Sequence, residues 1–135
     1  MGARPEGHYS AEVAIRVLIA GRRPDVRHAL EIRLALERDI AVVGSAASVD
    51  AALTVLRGAR PGVLLVDLDL APPPSEELLG RARALVPGLR VVLLTHGGDL
   101  RSVTGADEVV TKGADAGPLL AAIRGSSERR AQGFV

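Results

Sequence analysis

The chain has 135 residues, a formal net charge of +1 and no cysteine. This length suits one domain with one core, and so small a net charge gives no argument for nucleic-acid binding. The lack of cysteine excludes a disulfide framework and thiolate metal sites. No apolar run approaches the ~20 residues of a membrane span, and the first residues lack the apolar stretch of a secretory signal. We therefore expect a cytoplasmic protein that makes no membrane contact.

The basic residues are strongly biased in type. Of the 17 lysines and arginines, one is a lysine, Lys112, and the other 16 are arginines. Lysine is a compact charge that can reach a phosphate-like oxygen, whereas arginine presents a broad fork. Chance in an arginine-rich sequence would also explain the bias, so Lys112 has to be judged with its neighbours.

Five short apolar runs predict five β-strands. Each run is mostly continuous rather than alternating, which is typical of strands buried on both faces of a parallel sheet. The runs cover residues 14–20, 40–44, 62–67, 90–95 and 107–112.

Four segments between or after these runs carry apolar residues at helical spacing. They follow Pro24 and Ser48 and begin near Pro74 and Asp115. Ser48 or Asp50 suits the amino end of the second helix, and Asp115 suits the N-cap of the last. The expected buried positions are Val26, Leu30, Leu34, Val49, Ala52, Leu53, Leu56, Leu78, Ala82, Val86, Leu119, Leu120 and Ile123.

The alternation of strands and helices predicts one doubly wound α/β domain with a parallel sheet and helices on both faces. We place this domain at residues 13–125, after a disordered tail at 1–12 and before a C-terminal tail or linker remnant at 126–135. The segment between the fourth and fifth strands, "HGGDLRSVTGA", offers at most two turns of helix. The helix at that position is therefore expected to be short or missing.

The predicted strand ends bring a small set of polar residues to one edge of the sheet, where ligands usually bind in such folds. They are Gly21 and Arg22 after the first strand, Asp67 after the third, Thr95 after the fourth and Lys112 after the fifth. A simpler structural explanation is an Asp67–Lys112 ion pair beside a threonine that only ends its strand.

The order and spacing of these residues resemble those of response-regulator receiver domains of two-component systems, closest to the NarL/FixJ class. The resemblance runs from about Ile15 to Arg124 and is carried by "RVLIAGRRPDVRHAL", "VVGSAAS", "LLVDLDL", "VVLLT", "GADEVVTK" and "LLAAIR". It implies a flavodoxin-like (βα)5 fold with strand order 2-1-3-4-5. It also implies that Asp67 occupies the position that accepts a phosphoryl group from a histidine kinase. Thr95 matches the switch hydroxyl, and Lys112 matches the family's lysine.

One departure from the family changes the expected chemistry. Family members carry an acidic pair after the first strand that holds Mg²⁺, and this sequence has Gly21 and Arg22 there. Mg²⁺ needs oxygen ligands, and phosphoryl transfer relies on the metal to neutralise charge. We therefore expect Mg²⁺ binding to be lost, with Arg22 pairing with Asp67 instead. Asp25 and Asp69 are the nearest replacement acids, but most such side chains face solvent.

Further departures lie around the same site. His96 follows the switch hydroxyl where the family has a small residue, and it would either plug the pocket or turn to solvent. Val109 stands where the family often has a rotating Tyr or Phe. The stretch from Thr95 to Lys112 is shorter than usual, and Pro72 to Pro74 should stiffen the loop after Asp67.

The sequence thus favours an atypical receiver, or pseudo-receiver, that is not an enzyme and acts as a regulatory interaction module. One alternative is a working phospho-acceptor at Asp67 with Arg22 in place of the metal. Another is a sensor of a small anionic ligand held by Arg22, Thr95 and Lys112. Expected partners are another protein or a second copy bound through the first and last helices, and a histidine kinase. We expect DNA contact only through an output domain, which this chain lacks.

Overall fold

Five parallel strands form the central sheet of this computed structural model, which describes residues 14–68, 74–96, 105–113 and 115–133, without the side chains of 126–133. The strand order is β2-β1-β3-β4-β5, as the resemblance implied. The strands are β1 (Ile15–Ala20), β2 (Ile40–Ala46), β3 (Val63–Asp67), β4 (Arg90–Thr95) and β5 (Glu108–Thr111).

Four helices lie among the described residues: α1 (Pro24–Ala35), α2 (Val49–Ala59), α3 (Glu76–Leu85) and α4 (Gly117–Gly133). Pro24 opens α1, where its missing N–H costs nothing. Ser48 caps α2 by accepting the Ala51 N–H at 3.0 Å, so Ser48 rather than Asp50 has the capping role. Asp115 accepts the Gly117 N–H at 3.0 Å and lies two residues before α4.

Alternation along the strands creates two apolar cores, one on each face of the sheet. Val17 and Ile19 of β1 face the core that α1 and α4 cover. Leu18 and Ala20 face the opposite core, which α2 and α3 cover. The central strands β1, β3 and β4, whose ends carry candidate residues, are therefore packed on both faces.

The structure corrects several details of the predicted packing. The edge strands β2 and β5 are only partly buried, because each has a neighbouring strand on one side alone. In α3 the fully buried leucine is Leu79, whereas Leu78 is partly buried. Ala82 is fully buried as predicted, and Leu78 and Val86 pack against the same core while partly exposed.

The last helix extends past the predicted domain boundary. Its backbone stays helical to Gly133, whereas a tail was expected from residue 126. The segment "SSERRAQ" contains no proline that would interrupt the helix. The predicted tail at 1–12 and the helix expected within 97–104 lie outside the described residues. Within the described ranges, no helix is long and apolar enough to cross a membrane.

Candidate functional site

Two polar residues are buried where the central strands end. Asp67 is the last residue of β3 and is 4% exposed, and Thr95 is the last residue of β4 and is 7% exposed. The Leu68 N–H donates to the Leu94 carbonyl at 2.8 Å, which fixes the end of β3 against β4. Hydrogen-bonded strands therefore hold both side chains at one edge, as the sequence predicted.

Lys112 completes this arrangement from the neighbouring strand. Its backbone N–H donates to the Thr95 carbonyl at 2.6 Å, just beyond the end of β5. Its Nζ lies 2.8 Å from Oδ1 of Asp67, whose side chain is 1% exposed. The long unbranched stem of lysine lets the ammonium reach across β4 to the aspartate on β3. The predicted Asp67–Lys112 pair is thus present.

Gly21 brings the end of β1 very close to the aspartate. A Cβ atom built at Gly21 would lie 3.1 Å from Cβ of Asp67 and 3.7 Å from its Oδ2. The Gly21 carbonyl accepts a hydrogen bond from Nη1 of Arg27, a part-buried residue on α1. A glycine here leaves space for Asp67, and Arg27 holds the backbone at the end of β1.

Arg22 lies on the exposed rim of the same pocket. It lines a cavity of about 170 Å³ together with Asp67, Ser48 and Asp50. Among the described residues, Asp67 forms its ion pair with Lys112, and no ion pair joins it to Arg22.

The remaining candidates lie around this centre. His96 is exposed directly after β4, and Val109 is 46% exposed on β5. Asp25 pairs with Arg23 at 2.8 Å, and the Arg23 hydrogen bond lowers the pKa of that carboxyl. Asp69, Pro72 and Pro73 fall outside the described residues, while Pro74 lines the cavity beside Asp67.

Sequence inspection missed two residues of this site. Arg27 was not singled out because it sits among sixteen arginines, and its contact with Gly21 depends on how α1 packs. Asp50 was considered only as a helix-capping residue, yet it lines the cavity with Arg22 and Asp67. Both residues lie on helices, and the rule that parallel strands end at one edge of the sheet predicts only residues at strand ends.

The site holds one buried carboxylate that is paired with a lysine. Lys112 neutralises Asp67 directly, and Arg22 and Asp50 line the cavity beside it. The lining of this cavity therefore carries charges of both signs. The Asp67–Lys112 ion pair links the end of β3 to the residue after β5, across β4.

Comparison with known proteins agrees with this architecture. No protein-family model and no curated protein matches the sequence, but solved structures resemble the chain. A LuxR-family two-component response regulator from an Aurantimonas species matches with a TM-score of 0.73 and 24% identity over 86% of each chain. The signal receiver domain of the response regulator NarL from Mycobacterium tuberculosis matches with a TM-score of 0.71 and 22% identity, over 85% of this chain and 97% of that one.

A third similar structure was solved with ligands. The response regulator TrrA from Thermotoga maritima, in complex with Mg²⁺ and beryllium fluoride, matches with a TM-score of 0.66 and 24% identity. The match covers 82% of this chain and 96% of that one. The present chain therefore has the fold of response-regulator receiver domains.

Proposed function

We propose that this chain is an atypical receiver domain, a regulatory interaction module that does not use Mg²⁺-dependent aspartyl phosphorylation. The observation that carries the proposal is the end of β1, where Gly21 packs against Asp67 and Arg22 lines the same cavity. Lys112 lies 2.8 Å from Asp67. Gly21 and Arg22 supply no carboxylate where receiver domains carry their acidic pair.

The residues at the end of β1 do not fit the Mg²⁺ ion of receiver domains. Mg²⁺ demands near-octahedral oxygen coordination, and Gly21 has no side chain to offer. The carbonyl of Gly21 already accepts a hydrogen bond from Arg27, and Arg22 would repel a divalent cation. Phosphoryl transfer would then lack the metal that neutralises charge on the phosphoryl oxygens.

The proposed interaction surface is the cleft between α1 and α4. This cleft has a volume of about 530 Å³ and is lined by Val26 and Leu30 of α1 and Leu119 of α4. Lys112 also lines it, so one side chain joins the Asp67 pocket to this surface. A protein partner or a second copy would bind here, and DNA contact would come through an output domain.

A working phospho-acceptor is the second candidate, and one observation favours it. Asp67, Thr95 and Lys112 are together at the edge of the sheet, as they would be in a phosphorylatable receiver. Arg22 lines the same cavity and could stabilise phosphoryl charge in place of a metal. The anion-sensor alternative is less favoured because about 170 Å³ falls below the roughly 300–1,000 Å³ typical of small-molecule sites.

A Mg²⁺ titration followed by amide chemical shifts tests the metal half of the proposal. The unmodified protein should show no saturable shifts around Asp67 at millimolar Mg²⁺. The double variant Gly21→Asp/Arg22→Asp should show saturable chemical-shift changes around Asp67. The backbone has to move by a few tenths of an ångström to admit the new Cβ beside Asp67.

The matched control is Arg57→Asp/Gly58→Asp on α2, where a Cβ at position 58 meets nothing within 4 Å. This control makes the same change in composition and charge away from the pocket. It should bind no Mg²⁺ near Asp67. Saturable binding by the unmodified protein that disappears in Asp67→Asn would refute the proposal.

A further inference from the structure

A second cleft lies at the amino-terminal edge of the sheet, opposite Asp67. It has a volume of about 480 Å³ and opens where β1, β3 and β4 begin. Four arginines line it: Arg16, Arg60, Arg90 and Arg124. No aspartate or glutamate is among the described residues that line this cleft. We name it the amino-edge cleft.

Two of the four arginines are held by carboxylates behind the cleft. Arg124 contacts Asp39 at 2.7 Å and Glu37 at 2.9 Å. Arg90 donates to the Ala122 carbonyl at 2.9 Å and lies 3.8 Å from Glu108. These contacts fix the two guanidinium groups in place, so they form a rigid part of the wall.

The other two arginines carry charge that no carboxylate balances within the described ranges. Arg16 donates its hydrogen bonds to the carbonyls of Ala59 and Arg60 at the end of α2. The Arg60 side chain is exposed at the rim. Neither arginine has an ion pair among the described residues, so the amino-edge cleft presents uncompensated positive charge.

Arg60 has left-handed backbone angles, φ 46° and ψ 57°, a conformation in which glycine is strongly preferred. Its exposed side chain is accessible to a ligand in the cleft. Nε of Arg90 is buried, so a ligand in the open cleft would contact the arginines at the rim rather than this atom.

We propose that the amino-edge cleft binds a small anionic molecule that carries a phosphate or carboxylate group on an apolar body. Guanidinium forks match the geometry of such oxyanions. Val63, Leu85 and Ile123 supply apolar walls between the arginines. The volume lies in the range of small-molecule sites. This site is separate from the Asp67 pocket and does not depend on its chemistry.

Phenyl phosphate is the first probe, with benzoate as the carboxylate arm and benzyl alcohol as the neutral control. Binding is followed by amide chemical shifts of residues along the cleft. Phenyl phosphate, benzoate or both should give saturable shifts there, and benzyl alcohol should not. The relative affinity of the two anions then tells whether phosphate or carboxylate is preferred.

Arg60→Gly is the decisive variant because glycine suits the left-handed backbone and should leave the fold intact. Loss of one charged hydrogen-bonding partner should weaken binding about tenfold. Arg22→Ala, at the opposite edge, should leave these shifts unchanged. No saturable binding of either anion at millimolar concentration, or equal affinity in Arg60→Gly, would overturn the proposal. Chemical-shift changes that disappear in Arg22→Ala but persist in Arg60→Gly would place the anion in the Asp67 pocket. That result would also overturn the proposal.

Discussion

Two ion-pair clusters join distant parts of the chain, and they differ mainly in burial. At the carboxyl edge, Lys112 contacts Asp67 at 2.8 Å, and the aspartate side chain is 1% exposed. At the amino edge, Arg124 contacts Asp39 at 2.7 Å, and that aspartate side chain is 44% exposed. The distances are nearly equal, but one carboxylate is inside the protein and the other is largely in water.

The comparison shows that distance alone does not rank the two pairs. An exposed ion pair adds little to stability, because water solvates both charged groups and weakens the attraction between them. A buried carboxylate has lost that water, so it depends on its cation. The Asp67–Lys112 pair should therefore dominate the response to mutation, even though Arg124 makes more contacts.

The largest effect is expected for Lys112→Met. Methionine keeps much of the stem volume but removes the ammonium beside buried Asp67, which should lower the free energy of unfolding by about 3–5 kcal/mol. Urea denaturation measures the change. The double variant Lys112→Met/Asp67→Asn should recover part of the loss because no buried charge remains. A single-variant loss below about 1 kcal/mol would show that Asp67 does not depend on Lys112.

A smaller, pH-dependent effect is expected for Arg124→Ala. The hydrogen bond from Arg124 lowers the pKa of Asp39 below its ordinary 3.8. Arg33 and then Arg124 lower the pKa of Glu37 below 4.5. Because these carboxyls bind protons more weakly in the folded state, their contribution to stability is complete above about pH 5. It is lost as the pH falls through the lowered folded-state pKa values.

Urea denaturation from pH 2 to pH 7 tests this expectation. The stability difference between the unmodified protein and Arg124→Ala should be greatest near neutral pH and should shrink below about pH 4. Arg81→Ala, an exposed change on α3, serves as the control and should show no such trend. A difference that stays constant across the range would mean that Arg124 acts through packing alone.

The smallest effect is expected for Arg22→Ala. An Arg22–Asp67 pair would have made this change costly, but Arg22 is exposed and Asp67 is paired with Lys112. Stability should therefore change by no more than about 0.5 kcal/mol. A loss of 1–3 kcal/mol in the same urea experiment would restore Arg22 as a direct partner of Asp67.

Asp67, Thr95 and Lys112 show why much of this site was predictable. Each follows a continuous apolar run, and parallel strands bring their carboxyl ends to one edge. The two cores follow from the same runs, whereas the strand order came from the resemblance to receiver domains. The sequence could predict these features because each depends on a local pattern together with a general rule of sheet topology.

The parts that sequence inspection missed depend on contacts between elements. Arg27 reaches Gly21 only because α1 packs beside the end of β1. The four arginines of the amino-edge cleft come from β1, the end of α2, β4 and α4, and they share no motif. In a chain with 16 arginines, residue type gave no means of selecting them.

The most direct test of the central claim is the intact mass of the protein after incubation with acetyl phosphate and Mg²⁺. Asp67→Asn, treated in parallel, identifies any modification of that carboxylate. The unmodified protein should gain no phosphoryl mass if, as proposed, Gly21 and Arg22 supply no ligand for the metal beside Asp67. A phosphoryl adduct that is absent from Asp67→Asn would contradict the account and make the chain a working phospho-acceptor.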